Sequence, residues 1–218
     1  MTTTVLPQLR ITEIFFSLQG ETRTVGLPTV FIRLTGCPLR CVYCDTAYAF
    51  KGGEMKSLEE IKQTVASFGA KYITVTGGEP LAQPNCLLLL TQLCDQGYIV
   101  SLETSGALDV AKVDPRVVKI IDLKTPGSKE MSRNLYSNLD YLTAQDQVKF
   151  VICNREDFEW SRDTMFHYQL PEKIEVLFSP SFTDLPPRQL AEWILAERLP
   201  VRMQLQAHKY IWGDVPGH

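Results

Sequence analysis

Short β-rich runs alternate with stretches of helical periodicity along most of this chain. Residues 28–35 (PTVFIRLT) are rich in β-branched and aromatic side chains and predict a strand. Ser57 followed three residues later by Glu60 is a capping-box signature that opens a helix, and Gly69 closes it. The pattern continues with a strand at 72–76, a helix over 87–96 that stops at Gly97, and strands at 98–104, 117–123 and 148–153. A helix over 156–167, a strand at 174–179, a helix over 187–197 with proline at its start and a strand at 201–206 complete it. Residues 124–147 show no clear period.

Repeated βα alternation implies a mainly parallel sheet. With no long linker or internal repeat, the expectation is a single α/β domain over 1–218, an incomplete (β/α) barrel of about six mainly parallel strands. A flat doubly wound sheet is the alternative. Strands covered on both faces should be almost wholly apolar, so the polar exceptions carry information. Arg33 and Thr35, Thr74 and Thr76, and Ser101, Glu103 and Ser105 each share a face by period two. Asp122 and Lys124 end a further strand, and Gln204, Gln206 and His208 the last. They gather toward the C-terminal strand ends, where barrel enzymes place active sites.

Composition narrows the class. Hydrophobic content of 44% and charged content of 22% are ordinary for a globular chain. A net charge of −3 without a Lys/Arg block argues against a nucleic-acid-binding face. No apolar segment is long enough to span a bilayer, and MTTTVLPQLR has no signal-peptide core, so a cytoplasmic location is expected.

Candidate chemistry centres on GCPLRCVYC, where Cys37, Cys41 and Cys44 stand at x3 and x2 spacing. Three thiolates can converge on one soft metal centre, whereas ordinary iron–sulfur and structural zinc sites take four protein ligands. A triad leaves a coordination position open for a ligand. Cys86, Cys94 and Cys153 lie in apolar stretches and read as small buried hydrophobes. A zinc site completed by His167, His208 or His218 lacks the usual paired spacing.

Several ordered motifs extend the pattern: Leu18-Gln19-Gly20-Glu21, Phe31-Ile32-Arg33-Leu34, the three cysteines with Asp45 and Thr46, Thr76-Gly77-Gly78-Glu79-Pro80, Glu103-Thr104-Ser105-Gly106 and Gln206-Ala207-His208-Lys209-Tyr210. The cysteine spacing with GGEP resembles the radical S-adenosylmethionine superfamily. The whole set resembles the 7-carboxy-7-deazaguanine synthase family over nearly the full chain. The resemblance implies a [4Fe–4S] cluster held by Cys37, Cys41 and Cys44, S-adenosylmethionine on the fourth iron, and Mg²⁺ at Thr46. It implies radical ring contraction of 6-carboxy-5,6,7,8-tetrahydropterin to 7-carboxy-7-deazaguanine, with loss of ammonia and regeneration of S-adenosylmethionine, in queuosine and 7-deazapurine biosynthesis. It assigns Leu18, Gln19, Gly20, Glu21, Arg33 and Thr76 to substrate. To S-adenosylmethionine it assigns Tyr43, Gly78, Ser105, Asp122, Leu123, Lys124, Ser179, Pro180, Ser181 and Phe182. A flavodoxin- or ferredoxin-type electron donor and a homodimer are implied as partners.

Some of this follows from the residues themselves. A guanidinium within an apolar strand needs an anionic partner, and its planar fork suits a carboxylate, so Arg33 fits either the substrate or an internal pair with Glu21 or Glu103. Gly77 and Gly78 let backbone approach a ligand closely. Mg²⁺ prefers carboxylates, which favours Asp45 over Thr46 on chemistry alone. The family commonly has glycine after LQGE; Thr22 stands here, so the loop over 22–27 is expected to differ in shape. An activase that installs a glycyl radical on a protein, and a non-catalytic metal-binding module, are the competing readings.

Overall fold

The computed structural model describes residues 6–213, 215 and 217. Nine strands form one sheet. In chain order they are β1 (Gln8–Leu18), β2 (Pro28–Leu34), β3 (Glu54–Ser57), β4 (Tyr72–Gly77), β5 (Ile99–Thr104), β6 (Val118–Asp122), β7 (Gln147–Ile152), β8 (Glu175–Pro180) and β9 (Arg202–Met203). The spatial order is β3-β1-β2-β4-β5-β6-β7-β8-β9. All pairings from β2 to β9 are parallel, whereas β1 pairs antiparallel with both β2 and β3. The parallel part is the expected open barrel sheet, and the antiparallel edge is an addition to it. β1 was missed because its polar and apolar positions alternate (QLRITEIFFSL), as an antiparallel strand's do, instead of forming a continuous apolar run.

Side-chain parity divides the sheet into two faces. Ile32, Leu34, Ile73, Val75, Leu102, Ile121, Val148, Phe150 and Phe178 are buried in the core. Four helices contribute to that core: α1 (Leu58–Ser67), α2 (Cys86–Asp95), α3 (Arg155–His167) and α4 (Pro187–Glu197). They bury Ile61 and Val65, Leu89 and Leu93, Phe158 and Met165, and Leu190 and Ile194 respectively. The capping box at α1 is formed in both directions. The alternate positions (Arg33, Thr76, Glu103, Asp122, Lys149, Ser179) face the opposite way into a cavity.

The segment after β1 crosses this inner face. Gln19 Nε2 donates to Thr74 Oγ1 on β4 (3.0 Å), Lys149 Nζ on β7 pairs with Glu21 (2.9 Å), and Arg23 reaches Gln147 Oε1 (3.2 Å) and Glu175 on β8 (3.3 Å). An incomplete barrel has an open interior, and this loop closes it from below. Thr22 lies at φ +66°, the left-handed conformation that glycine adopts without strain. The loop therefore keeps a glycine-like turn although it carries threonine.

The middle of the chain is irregular as expected, and one expectation at its C-terminal end is corrected. Residues 124–147 form three short 3₁₀ turns (Pro126–Ser128, Met131–Arg133, Tyr136–Tyr141). The last strand is only Arg202–Met203; Gln206 instead begins a helix, α5 (Ala207–Trp212), so Gln206 and His208 do not end a strand. α5 ties the mouth together through Ala207 N–H to the Gly20 carbonyl (2.9 Å) and Lys209 Nζ to Asp45 (2.9 Å).

Candidate active site

One cavity of about 470 Å³ opens at the C-terminal ends of the parallel strands. Cys37, Cys41, Cys44, Tyr43 and Thr46 line it from the loop after β2. That loop is held against β4 by backbone: Gly78 N–H donates to the Leu34 carbonyl (3.1 Å) and Glu79 N–H to the Gly36 carbonyl (2.8 Å). A Cβ on Gly77 would strike Leu34 backbone. One on Gly78 would strike the Gly36 carbonyl and lie 2.8 Å from Cys37 Cβ. These glycines thus let the chain approach itself, as well as leaving room at the cavity wall. Glu79, fully buried, accepts from Leu81 N–H (3.0 Å), Thr104 Oγ1 (2.9 Å), Ser105 N–H (2.7 Å) and Ser105 Oγ (2.5 Å). It fastens β4 to β5, and the Ser105 hydroxyl is committed to it.

The three thiols are half-buried and unpaired. Burial raises all three pKa values, that of Cys41 to about 11, while the Lys124 ammonium works against the rise. Each thiol needs its proton displaced before it can bind iron, and Lys124 offsets the resulting negative charge. Among the described residues, no three His, Cys, Asp or Glu side chains are grouped to hold a metal ion. A [4Fe–4S] cluster places each thiolate on a different iron, so its ligands stand wider apart than those of one ion. One buried polar atom beside the loop, Tyr43 Oη, has no hydrogen-bond partner among the described residues. A wall with three free thiols, a buried cation and an unpartnered hydroxyl fits a bound cluster and a polar cosubstrate.

The other candidate residues sort unevenly. Asp122 and Lys124 line the cavity as an ion pair (3.1 Å), and Lys124 is buried. Leu123 between them is 1% exposed in the hydrophobic core, so its side chain faces away from the site. Ser179, Pro180 and Ser181 are buried at the wall, while Phe182 is half exposed at the rim. Leu18, Gln19, Gly20 and Glu21 line the opposite side, with Gln19 buried on Thr74. Gly20 lies so close to His208 that a Cβ there would collide with the imidazole ring. Burial lowers the His208 pKa, which favours the neutral ring.

Arg33 pairs with neither Glu21 nor Glu103; its Nε donates to Glu13 Oε1 on β1 (2.7 Å). Tyr48 donates to the same oxygen (2.7 Å), and the guanidinium stands 5.8 Å from the ring centres of Phe15 and Tyr48. This leaves the guanidinium's terminal N–H groups for an anion in the cavity. Partial desolvation acts to raise the Asp45 pKa, but Lys209, Thr46 and Gln206 outweigh it and hold the carboxyl well below its usual range. Asp45 accepts from Thr46 (2.8 Å) and anchors α5, so the acid that chemistry favours for Mg²⁺ is engaged as a latch.

The sequence reading gave no site role to Glu13, Glu79 or Lys149. Glu103 was noted there as an inward polar position and as a possible partner of Arg33, with no role toward substrate. It sits on the cavity floor, its pKa raised by burial against the pull of Lys149, and accepts from Thr76 Oγ1 (3.4 Å). Burial disfavours the Lys149 charge, yet Glu21, Asp122 and Glu103 hold its pKa well above normal. The strand parity that flagged Glu103 would also have found Lys149. Glu13 lies on the strand that was not recognised.

The Radical SAM superfamily model matches residues 31–165. The 7-carboxy-7-deazaguanine synthase of Chlorobaculum tepidum is 45% identical over 208 residues, covering 94% of each chain. That of Koribacter versatilis is 42% identical, covering 94% of this chain and 97% of its own. In fold, the chain is similar to QueE from Escherichia coli (TM-score 0.75, 24% identity, 92% of this chain and 95% of that one). The spacing of the cysteines, the strand-end GGEP turn and this likeness along almost the whole length agree: the chain belongs to the radical S-adenosylmethionine superfamily and, within it, to the 7-carboxy-7-deazaguanine synthase family.

Proposed function

We propose that this protein converts 6-carboxy-5,6,7,8-tetrahydropterin to 7-carboxy-7-deazaguanine, with loss of ammonia and regeneration of S-adenosylmethionine. One observation carries the reading: a single cavity has three free thiols on one wall and, on the other, Arg33 with spare guanidinium donors beside the buried Gln19 and Glu103. When bound, the cluster and S-adenosylmethionine supply the adenosyl radical that takes the hydrogen from pterin C6.

The chain's own residues do the rest by position. Arg33, steadied by Glu13, receives the substrate carboxylate. Glu103 and the polar edge of the Leu18–Gly20 segment face the amino-pyrimidinone, whose N–H groups need acceptors and whose carbonyl needs a donor. Thr76, which donates to Glu103, contacts the same ring. Thr46, oriented by Asp45, supplies a hydroxyl oxygen to Mg²⁺ alongside the substrate carboxylate. Gly78, Tyr43, Ser105, the Asp122–Lys124 strand end and Ser179–Phe182 surround the cosubstrate. α5 and the loop after β1 cover the cavity and exclude water, which protects a radical from quenching. His208, neutral and beside Gly20, is placed to exchange a proton at the substrate edge as ammonia departs. A one-electron donor of the flavodoxin or ferredoxin type is needed, and the working form is a homodimer.

The test is anaerobic incubation of reconstituted protein with the carboxypterin, S-adenosylmethionine, Mg²⁺ and dithionite, read by ultraviolet absorption of the deazapurine. Product forming in many turnovers per S-adenosylmethionine consumed is expected. Cleavage of S-adenosylmethionine with the pterin untouched overturns the substrate. A glycyl-radical activase would instead consume one S-adenosylmethionine per activation.

A further inference from the structure

β1 does not pair evenly with β2. Its partners run Ile11 with Leu34 and then Glu13 with Arg33, so Thr12 is an extra residue between them, a β-bulge. Side chains along a strand alternate between its faces, and a bulge shifts that alternation by one. Ile11 and Leu34 are buried in the core. With even pairing Thr12 would stand opposite Arg33, and Glu13 would fall opposite the core residue Ile32. The bulge instead sets Glu13 opposite Arg33, and the Thr12 hydroxyl is taken up by that of Thr35 (2.7 Å). Ile14, the next residue, packs against the core again.

The carboxylate so placed gathers two donors on one oxygen. Arg33 Nε and Tyr48 Oη both donate to Glu13 Oε1, each at 2.7 Å. Tyr48 belongs to the turn Ala47–Phe50, which directly follows Thr46 on the cysteine loop. Arg33 lines the cavity, whereas Glu13 and Tyr48 stand behind it. The bulge of β1, the strand β2 and the cysteine loop therefore meet at a single oxygen. A guanidinium on its flexible stem can otherwise swing; a bond at Nε fixes the plane of the fork and leaves the terminal N–H groups for a ligand. On the reading that Arg33 receives the substrate carboxylate, we propose that Glu13 and Tyr48 are positioning residues: Glu13 sets the plane of the Arg33 fork, and Tyr48, acting through Glu13, holds that plane in register with the loop that bears Cys44 and Thr46. Together they make the site select a carboxylated pterin over one that lacks the group. Neither touches substrate. Glu13 acts by geometry and not by charge, because an anion beside Arg33 would by itself weaken the attraction for a second one.

The test measures binding by anaerobic calorimetry, with full-length reconstituted protein, S-adenosylmethionine and Mg²⁺, and with no reductant so that nothing turns over. The two probes are 6-carboxy-5,6,7,8-tetrahydropterin and 5,6,7,8-tetrahydropterin, which lacks the carboxylate. The proteins are wild type, Glu13→Ala, Glu13→Gln, Tyr48→Phe and the double variant Glu13→Ala/Tyr48→Phe. Glu13→Ala should lower affinity for the carboxylated pterin about tenfold and leave that for tetrahydropterin unchanged. Glu13→Gln, which keeps an oxygen for Arg33 Nε, should bind the carboxylated pterin at least about a third as tightly as wild type. Tyr48→Phe keeps the ring and should cost about threefold toward the carboxylated pterin alone, with no further loss when added to Glu13→Ala. Glu13→Ala binding the carboxylated pterin as tightly as wild type, or more tightly, overturns the proposal. So does an equal loss toward both pterins, a Gln variant as weak as the Ala variant, or a Tyr48→Phe loss that persists in full in the double variant. Should Glu13→Ala fail to fold, Tyr48→Phe decides alone: wild-type affinity for the carboxylated pterin overturns the proposal. Wild type that does not distinguish the two pterins sinks the substrate reading and this inference with it, whereas a wild type that prefers the carboxylated one beside an unaltered Glu13→Ala sinks this inference only.

Discussion

On the floor of the cavity the polar groups answer one another. Gln19 is bonded to Thr74, Glu21 to Lys149, Thr76 to Glu103, and Arg33 to Glu13. Along the cluster wall fewer do: the three thiols form no disulfide, and Tyr43 Oη has no hydrogen-bond partner among the described residues. Both regions come from inward positions of the same strands and from loops at their ends. A buried polar atom without a partner is unfavourable and persists where a bound group completes it. A closed network instead fixes geometry before any ligand arrives. The wall is therefore finished by what it binds, and the floor by the chain itself.

The largest break in this comparison comes at the wall. Cys41→Ala should abolish cluster assembly and turnover while leaving the fold intact, because the thiol makes no hydrogen bond that supports the loop. Iron content and the charge-transfer absorption check it, with denaturant unfolding of the apoprotein as the structural control. Cys86→Ala should do the reverse. Cys86 opens α2 and is fully buried in the core, so its loss leaves the cluster in place and lowers stability by about 1 kcal/mol. Full cluster occupancy in Cys41→Ala would remove the distinction between the two groups of cysteines.

The floor breaks through Lys149. Its ammonium pairs with Glu21 (2.9 Å) and Asp122 (3.5 Å) and offsets Glu103. Lys149→Met leaves these carboxylates facing one another with little solvent, and a loss of about 3–5 kcal/mol at neutral pH is expected in urea unfolding. The loss should shrink toward pH 5, because Glu103, whose pKa burial raises, takes a proton readily there. The sign is that of a raised acid: the neutral form's contribution is complete below the ordinary carboxyl range and is lost as pH rises through the folded pKa. A loss below about 1 kcal/mol would mean that the floor is not held by this cation.

The contrast also decides what could be read from the chain. The parallel strands, the helices between them and the cysteine loop were legible because each rests on a local pattern: apolar runs, a capping box, fixed spacing. Glu79 was visible as a motif letter, but its task of bolting β4 to β5 is tertiary. Leu123 was included with its neighbours because a motif does not distinguish side-chain direction, whereas strand parity sends it to the core. Arg33 was expected to need an anion, and it has one; Glu13 stayed hidden because β1 obeys antiparallel alternation. α5 was not predicted, and His208 was set at the end of the last strand, because six residues of mixed polarity carry no period; the position of α5 is set by Asp45 and Gly20, which are distant in sequence.

A finer test concerns the latch between the two regions. Lys209 holds the Asp45 carboxyl below its ordinary range, so this contribution is present above about pH 4 and is lost as pH falls toward the folded value. Asp45→Asn should lower the melting temperature at pH 6. The gap from wild type should stay constant down to about pH 4 and narrow between about pH 4 and 2, as wild type loses what the variant never had. A constant gap over that range would mean that the bond from Gln206 Nε2 (3.1 Å), not the charge of Lys209, holds the start of α5 down.

The smallest effect lies at Thr22, where the floor loop turns. Its φ of +66° forces a β-branched side chain into the left-handed region, which costs an L-residue roughly 1–2 kcal/mol. The Thr22 hydroxyl recovers part of this through Thr24 Oγ1 (3.1 Å), and Thr24 N–H approaches it as well (3.4 Å). Glycine would remove the strain and lose that bond, while adding freedom to the unfolded chain. The balance favours Thr22→Gly by about 0.5–1 kcal/mol in urea unfolding, with turnover unchanged, since the backbone already holds the turn that glycine prefers. A destabilised variant would show that the Thr22–Thr24 contact, not the backbone conformation, fixes this loop. The floor would then depend on a side-chain bond at the one point where its backbone takes the conformation that glycine prefers.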